Sequence, residues 1–144
     1  MRSAVVTRAL DPGALLAEVA DVATGAALLF VGTVRETSDR RTVTGIDYTA
    51  YEAMAARELE SIVREACERF DTPHVVVEHR LGSLALGEAS VAVAVAHARR
   101  APAYDCSRFV IEELKRRVPI WKREHYADGT REWVDPTRAA VGAP

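Results

Sequence analysis

Ala89-Ser-Val-Ala-Val-Ala-Val-Ala-His-Ala98 is the stretch that decides the fold. Valine and alanine alternate with a period of two, the pattern of a β-strand whose faces differ. The alanine face leaves room for a neighbour to pack closely. On the C-terminal side, Pro102 opens a helix that runs to about Arg117, with Cys106, Phe109, Val110 and Leu114 facing inward. Pro119 disfavours helix at Val118. Residues 120–126 and 131–134 read as strands joined around Asp128-Gly129, a strong hairpin signal. The tail 135–144 is expected to be loosely held.

On the N-terminal side, residues 81–88 turn the chain through Gly82 and Gly87, around a short strand, and residues 74–80 form another strand. Residues 52–70 are a helix, with Ala55, Leu59, Ile62, Val63, Ala66 and Phe70 at helical spacing and Pro73 beyond its end. Residues 43–51 and 26–34 are strands, and Gly32 inside the latter suggests a bulge or a close backbone approach. The polar run 35–42 is expected to be a mobile loop. Residues 11–24 predict a helix capped by Asp11, with Leu15, Leu16, Val19 and Val22 as its apolar stripe and Gly25 as its stop. The whole, residues 1–144, predicts one α+β domain with a mainly antiparallel sheet and about three helices.

Charge is unevenly placed. The net charge is −2, which excludes bulk affinity for nucleic acid or membrane surfaces. Yet residues 99–123 hold 8 basic and 3 acidic side chains, whereas the rest of the chain is acidic. Only two of the 19 basic residues are lysines, Lys115 and Lys122. Lysine, unlike arginine, loses its proton when desolvated and can then act as a base. Neither position is decisive alone. Cations at a helix C-terminus complement its dipole, which accounts for Lys115, and lysine on a strand edge discourages aggregation, which accounts for Lys122. Taken together with Arg99, Arg100 and Arg35, they outline an anion site. A 16-residue helix is about 24 Å long. Arg99 and Lys115 of one chain therefore serve the same small pocket only if a symmetric partner supplies Arg99 and Arg100.

The four histidines have no metal-ligand spacing, and His79 and His97 read as packing or surface residues. Cys67 and Cys106 fall in predicted helices, so they read as reduced thiols in a cytosolic protein. No apolar run has the length of a membrane helix or signal peptide.

Four segments in order then carry a family resemblance over roughly residues 25–138: Phe30-Val-Gly32-Thr33-Val34-Arg35, Tyr51-Glu52-Ala-Met54, His79-Arg80-Leu-Gly82-Ser-Leu84-Ala-Leu-Gly87-Glu88, and Leu114-Lys115-Arg-Arg-Val-Pro119-Ile-Trp121-Lys122-Arg123-Glu124 with Trp133-Val134. The chain resembles the large, catalytic subunit of molybdopterin synthase. That resemblance implies an α/β hammerhead-like fold and a homodimer within a heterotetramer. The partner is a small ubiquitin-like sulfur carrier ending in a Gly-Gly thiocarboxylate. The reaction is transfer of two sulfurs to cyclic pyranopterin monophosphate, with no cofactor. By matching position, Lys115 is expected at the carrier tail and Lys122 at the pterin as the catalytic pair. Thr33, Val34, Arg35, Arg99, Arg100, Arg123, Glu124 and Arg138 are expected to bind substrate. The family usually has His-Arg where this chain has Arg99-Arg100, so His97, two residues earlier on the same strand face, is a candidate replacement. Two other functions remain open: a non-catalytic adaptor gripping a carrier tail, and sulfur transfer through a persulfide on Cys106.

Overall fold

The computed structural model describes residues 1–134. Residues 135–144, with Arg138 and the expected loose tail, lie outside the described residues. Twelve elements follow one another: β1 (Arg2–Val6), α1 (Pro12–Val19), β2 (Ala26–Thr33), β3 (Thr37–Ser38), β4 (Arg41–Ala50), α2 (Glu52–Phe70), β5 (Val75–Arg80), β6 (Gly82–Ala85), β7 (Ala89–His97), α3 (Arg100–Arg117), β8 (Ile120–Tyr126) and β9 (Arg131–Val134).

The alternating strand is central in the first sheet, whose order is β1-β5-β7-β2. Its two faces do different work. Val91, Val93 and Val95 join the main core with Leu59, Ile62 and Ala66 of α2 and Val110 and Leu114 of α3. Ala92, Ala94 and Ala96 face the other way, against Leu15 and Val19 of α1. Small side chains there let the short helix approach closely. A fully buried leucine such as Leu59 contributes ~1.5–3 kcal/mol through burial.

The second sheet has the order β3-β4-β8-β9, with β6 also pairing β4. Its inner residues Ile46, Tyr48, Ile120 and Tyr126 enter the same core cluster as the first sheet, so one core serves both. Every strand pair is antiparallel except β1 with β5. The α+β expectation, with three helices, is met. Among the described residues, no helix is long and apolar enough to cross a membrane.

Three local expectations need correction. The first helix stops at Val19, not Thr24, and Val22 is fully exposed. Asp21 is the cause: its carboxylate accepts from Ala23 N at 2.8 Å and its carbonyl from Thr24, so a turn replaces the helix. The run 35–42 is not a plain loop. Thr37 pairs with Thr42 and Ser38 with Arg41 across a turn in which Asp39 (φ 48°) and Arg40 (φ 65°) are left-handed. Tertiary contacts hold this hairpin. The Arg41 guanidinium lies 3.4 Å from the Tyr126 ring centroid and 2.9 Å from Glu132 Oε2. Finally, Arg2–Val6, for which the sequence predicts no element, forms the parallel edge strand β1.

Candidate active site

The site grows from three chain ends. At Gly32 strand β2 crowds β7: a Cβ there would stand 2.7 Å from Val91 Cγ1, and the pairing register slips between Gly32 and Thr33. Beyond the slip, Thr33 and Arg35 point outward, while Val34 is buried and tied to the Gly87-Glu88 turn through backbone bonds. The last turn of α3 presents Lys115. After Val118 adopts extended backbone and Pro119 follows, β8 brings Lys122 and Glu124 to the same side.

These groups line one cavity of about 260 Å³, formed by Gly32, Thr33, Arg35, Ser90, Lys115 and Lys122 among others, with Glu124, Tyr48, Ser38, Thr37 and Ile46 completing it. Glu124 is buried and accepts a hydrogen bond from Ser38 Oγ at 3.1 Å, which links the β3 hairpin to the cavity wall. Lys115 is accessible to solvent yet recessed among protein atoms. Desolvation there, and then repulsion from Lys122, lowers its pKa.

Behind the cavity lies His79, 2% exposed. Its Nδ1 is 2.9 Å from the Arg80 carbonyl, so Nδ1 carries the proton. Burial first, then the charge of Lys115, pushes its pKa down to about 4 and keeps the ring neutral. The Tyr48 ring meets it edge-on, centroids 5.2 Å apart. Burial raises the Tyr48 phenol, against the opposing effect of a hydrogen bond with Ser90.

Five of the expected site residues therefore converge: Lys115, Lys122, Thr33, Arg35 and Glu124. Val34 does not expose its side chain to the cavity, because its neighbours at 33 and 35 take the outward positions. Arg123 is on the opposite face of β8 from Lys122, as strand alternation requires. There it binds Asp47 at 2.8 Å, and His125 Nε2 meets the same Asp47 oxygen at 2.7 Å. Burial alone would raise Asp47, but hydrogen bonds from Arg123, Ser83 and His125 bring its pKa to about 2. Arg99 and Arg100 sit at the opposite end of α3 from Lys115 and do not line this cavity. His97 does not line this cavity either. Its Nε2 meets the Phe70 carbonyl at 2.8 Å and its Nδ1 accepts from Arg99 N at 3.2 Å.

Tyr48 and Ser90 are cavity members that sequence reasoning missed, whereas His79 is the packing residue expected. Both sit on strands next to residues that were found; Tyr48 is directly opposite Lys122 in the β4–β8 register. No cysteine lines the cavity. Cys106 is fully buried, and burial, with Cys67 nearby, pushes its thiol up to about 12. A thiol so placed is a poor nucleophile. Among the described residues, no cluster of His, Cys, Asp and Glu suits a metal ion.

Fold and cavity together define a class: an α+β protein whose cavity gathers two amines and a guanidinium beside one carboxylate, with no cysteine in its lining. The chain belongs to the family described as MoaE protein, whose model matches residues 5–117. It is similar to the molybdopterin synthase catalytic subunit of Emericella nidulans, 43% identical over 86% of this chain and 64% of that one. It thus spans about two thirds of that fungal relative's length. Molybdopterin synthase catalytic subunit 1 of Aedes aegypti is 42% identical over 88% of this chain and 83% of its own. Among solved structures, molybdopterin synthase from Staphylococcus aureus aligns with a TM-score of 0.85 at 29% identity, covering 91% of this chain and 95% of the other. The complex of subunits 1 and 2 of molybdopterin-converting factor from Helicobacter pylori aligns at 0.72 and 27% identity, covering 92% and 89%.

Proposed function

We propose that this chain is a molybdopterin synthase catalytic subunit. It transfers two sulfurs from the C-terminal thiocarboxylate of a small ubiquitin-like carrier to cyclic pyranopterin monophosphate, and it works as a homodimer with one carrier at each end. One observation carries the reading: Lys115, Lys122 and Arg35 converge on a cavity that contains no cysteine. Both reactants are anions, and the carrier brings the sulfur. What the catalytic chain must supply is positive charge to offset their repulsion and to stabilise the leaving phosphate oxygen.

The residues divide this work by their chemistry. Arg35, exposed just beyond the end of β2, holds phosphate in this reading through its guanidinium fork. Lys122 offers a charged donor to substrate. Lys115, its proton affinity lowered by desolvation, is the amine best suited to exchange a proton during sulfur addition. Glu124, tied to the β3 hairpin through Ser38, lines the same cavity as the two lysines and adds a negative charge to it. Arg99 and Arg100 reach such a pocket only from a second chain, in keeping with a dimer. Localisation in the cytoplasm is part of the same proposal.

Reconstitution with thiocarboxylated carrier and pyranopterin is the test. Dithiolene product should form with the native chain and fall by at least ~100-fold in Lys115→Ala, the scale of lost general acid–base catalysis. Lys115→Arg should fall similarly, since arginine keeps charge but not proton exchange. Carrier binding with no product from the native chain would instead establish the adaptor.

A further inference from the structure

One wall of the cavity is the first limb of the β3–β4 hairpin. Arg35, Thr37 and Ser38 all line the cavity, and Ser38 Oγ donates to buried Glu124 at 3.1 Å. The wall is thin. Thr37 pairs with Thr42 and Ser38 with Arg41, and Val43 N donates to the Glu36 carbonyl at the base, 2.8 Å away. Between the limbs, Asp39 and Arg40 are both left-handed. Two-residue turns of this shape prefer glycine at the second position, because a Cβ crowds the backbone there. Arg40 supplies that Cβ. The local sequence therefore disfavours the hairpin, and contacts from elsewhere hold it.

Those contacts come through Arg41, on the second limb. Its Nη1 donates to Glu132 Oε2 at 2.9 Å and its Nη2 to Thr130 Oγ1 at 2.7 Å. Its central carbon lies 3.4 Å from the centroid of the Tyr126 ring. The partners are themselves fixed. Thr130 Oγ1 donates to Asp128 Oδ1 at 2.6 Å, which leaves its lone pairs to the guanidinium. The Tyr126 hydroxyl donates to the same Glu132 oxygen at 3.2 Å. Beside them Ala127 N donates to the Thr42 carbonyl at 2.9 Å. A lone exposed ion pair holds little, but here a fork, a stacked face and a backbone bond act at one place. An ammonium offers neither fork nor face.

We infer that Arg41 is a positioning residue: by fastening the second limb to the β8–β9 hairpin, it fixes the first limb, with Arg35, Thr37 and Ser38, as the substrate-binding wall of the cavity. The inference rests on the reading of Arg35 as a phosphate contact. It goes further in giving control of small-molecule affinity to a residue outside the cavity lining. Lys115 and Lys122 are carried by α3 and the start of β8, outside this network, so the carrier tail does not depend on it.

The first measurement needs no sulfur transfer. Amide exchange by NMR on the full chain reads the hairpin at Val43 and Ala127, and the core along β7. Arg41→Ala should speed exchange at Val43 and Ala127 by ~10-fold or more and leave β7 unchanged. Arg41→Lys keeps the charge and should restore little of that protection. In reconstitution, Arg41→Ala should raise the KM for pyranopterin by ~5- to 10-fold, about one charged hydrogen bond, with kcat and the KM for carrier nearly unchanged. Glu132→Gln should move both readouts the same way by less, and it decides the case if Arg41→Ala does not fold by circular dichroism. Unchanged exchange at Val43, an equal rise along β7, or a carrier KM that rises with the pyranopterin KM overturns the inference. If the native chain makes no product, the sulfur-transfer reading falls, and exchange alone decides whether Arg41 holds the hairpin.

Discussion

Acid should weaken this protein through one ring, His79. Buried His79 has a pKa of about 4, against 6.5 for the free side chain. Between those values the unfolded chain binds a proton that the folded chain refuses. Stability therefore rises with pH across this window, and it falls as the pH drops from 6.5 toward 4. The slope approaches ~1.4 kcal/mol per pH unit, and over about 2.5 units the single group costs about 3 kcal/mol. That is a large share of the total stability of a domain of this size, ~5–15 kcal/mol. His79→Gln retains a polar side chain of similar reach and does not titrate. Urea unfolding at half-unit steps from pH 7 to 4.5 measures the difference. The native chain should lose ~2–3 kcal/mol more than His79→Gln over that range. Carboxylates with lowered pKa values lose their contribution mostly below this interval, so the comparison isolates the ring. Parallel pH profiles for the two proteins would refute the claim that His79 is held neutral by its surroundings.

The carboxylate of Asp47 should act in the same sense, at lower pH. Its pKa of about 2 means that its contribution, ~2 kcal/mol, is present above about pH 4 and disappears as the pH falls through 2; Asp47→Asn should show that loss at pH 7 by urea unfolding and little at pH 2. Gly32→Ala places a methyl 2.7 Å from Val91 Cγ1, so it should cost ~1–3 kcal/mol in thermal or urea unfolding and lower sulfur transfer by disturbing the bulge that aims Thr33 and Arg35. Cys106→Ala should leave reconstituted sulfur transfer intact, because the thiol is sealed in the core; loss of product with the fold retained would revive a persulfide route.

Much of this was readable in the chain because local pattern and tertiary role agree. The Val/Ala alternation at 91–96 named a strand with unlike faces, and the structure puts the main core on one face and α1 on the other. The two lysines stood out by composition and do share a cavity. Reading a motif as a block caused the errors at Val34 and Arg123. Adjacent residues on a strand point to opposite faces, so Thr33 and Arg35 exclude Val34, and Lys122 excludes Arg123. That signal was present in the sequence. The signal for β1 was not, since it pairs with a strand some seventy residues away and no local turn announces it. Nor was the 35–42 hairpin readable, because Arg41 is held by Tyr126 and Glu132. His79 looked like filler, and its importance comes from burial first and then from the charge that α3 brings near it.

The elbow at Val118-Pro119 has a consequence for how such a protein can vary. Lys115 ends a helix and Lys122 lies on a strand, with a single rigid bend between them. Loss of one residue after the bend, with the bend itself held in place, would slide the rest of β8 by one position against β4 and turn the second lysine to the opposite face. The length of this segment is therefore as much an inherited part of the site as the two amines are. Gains and losses of residues are tolerable in the surface turns, but between these two positions a single step either way dismantles the pair.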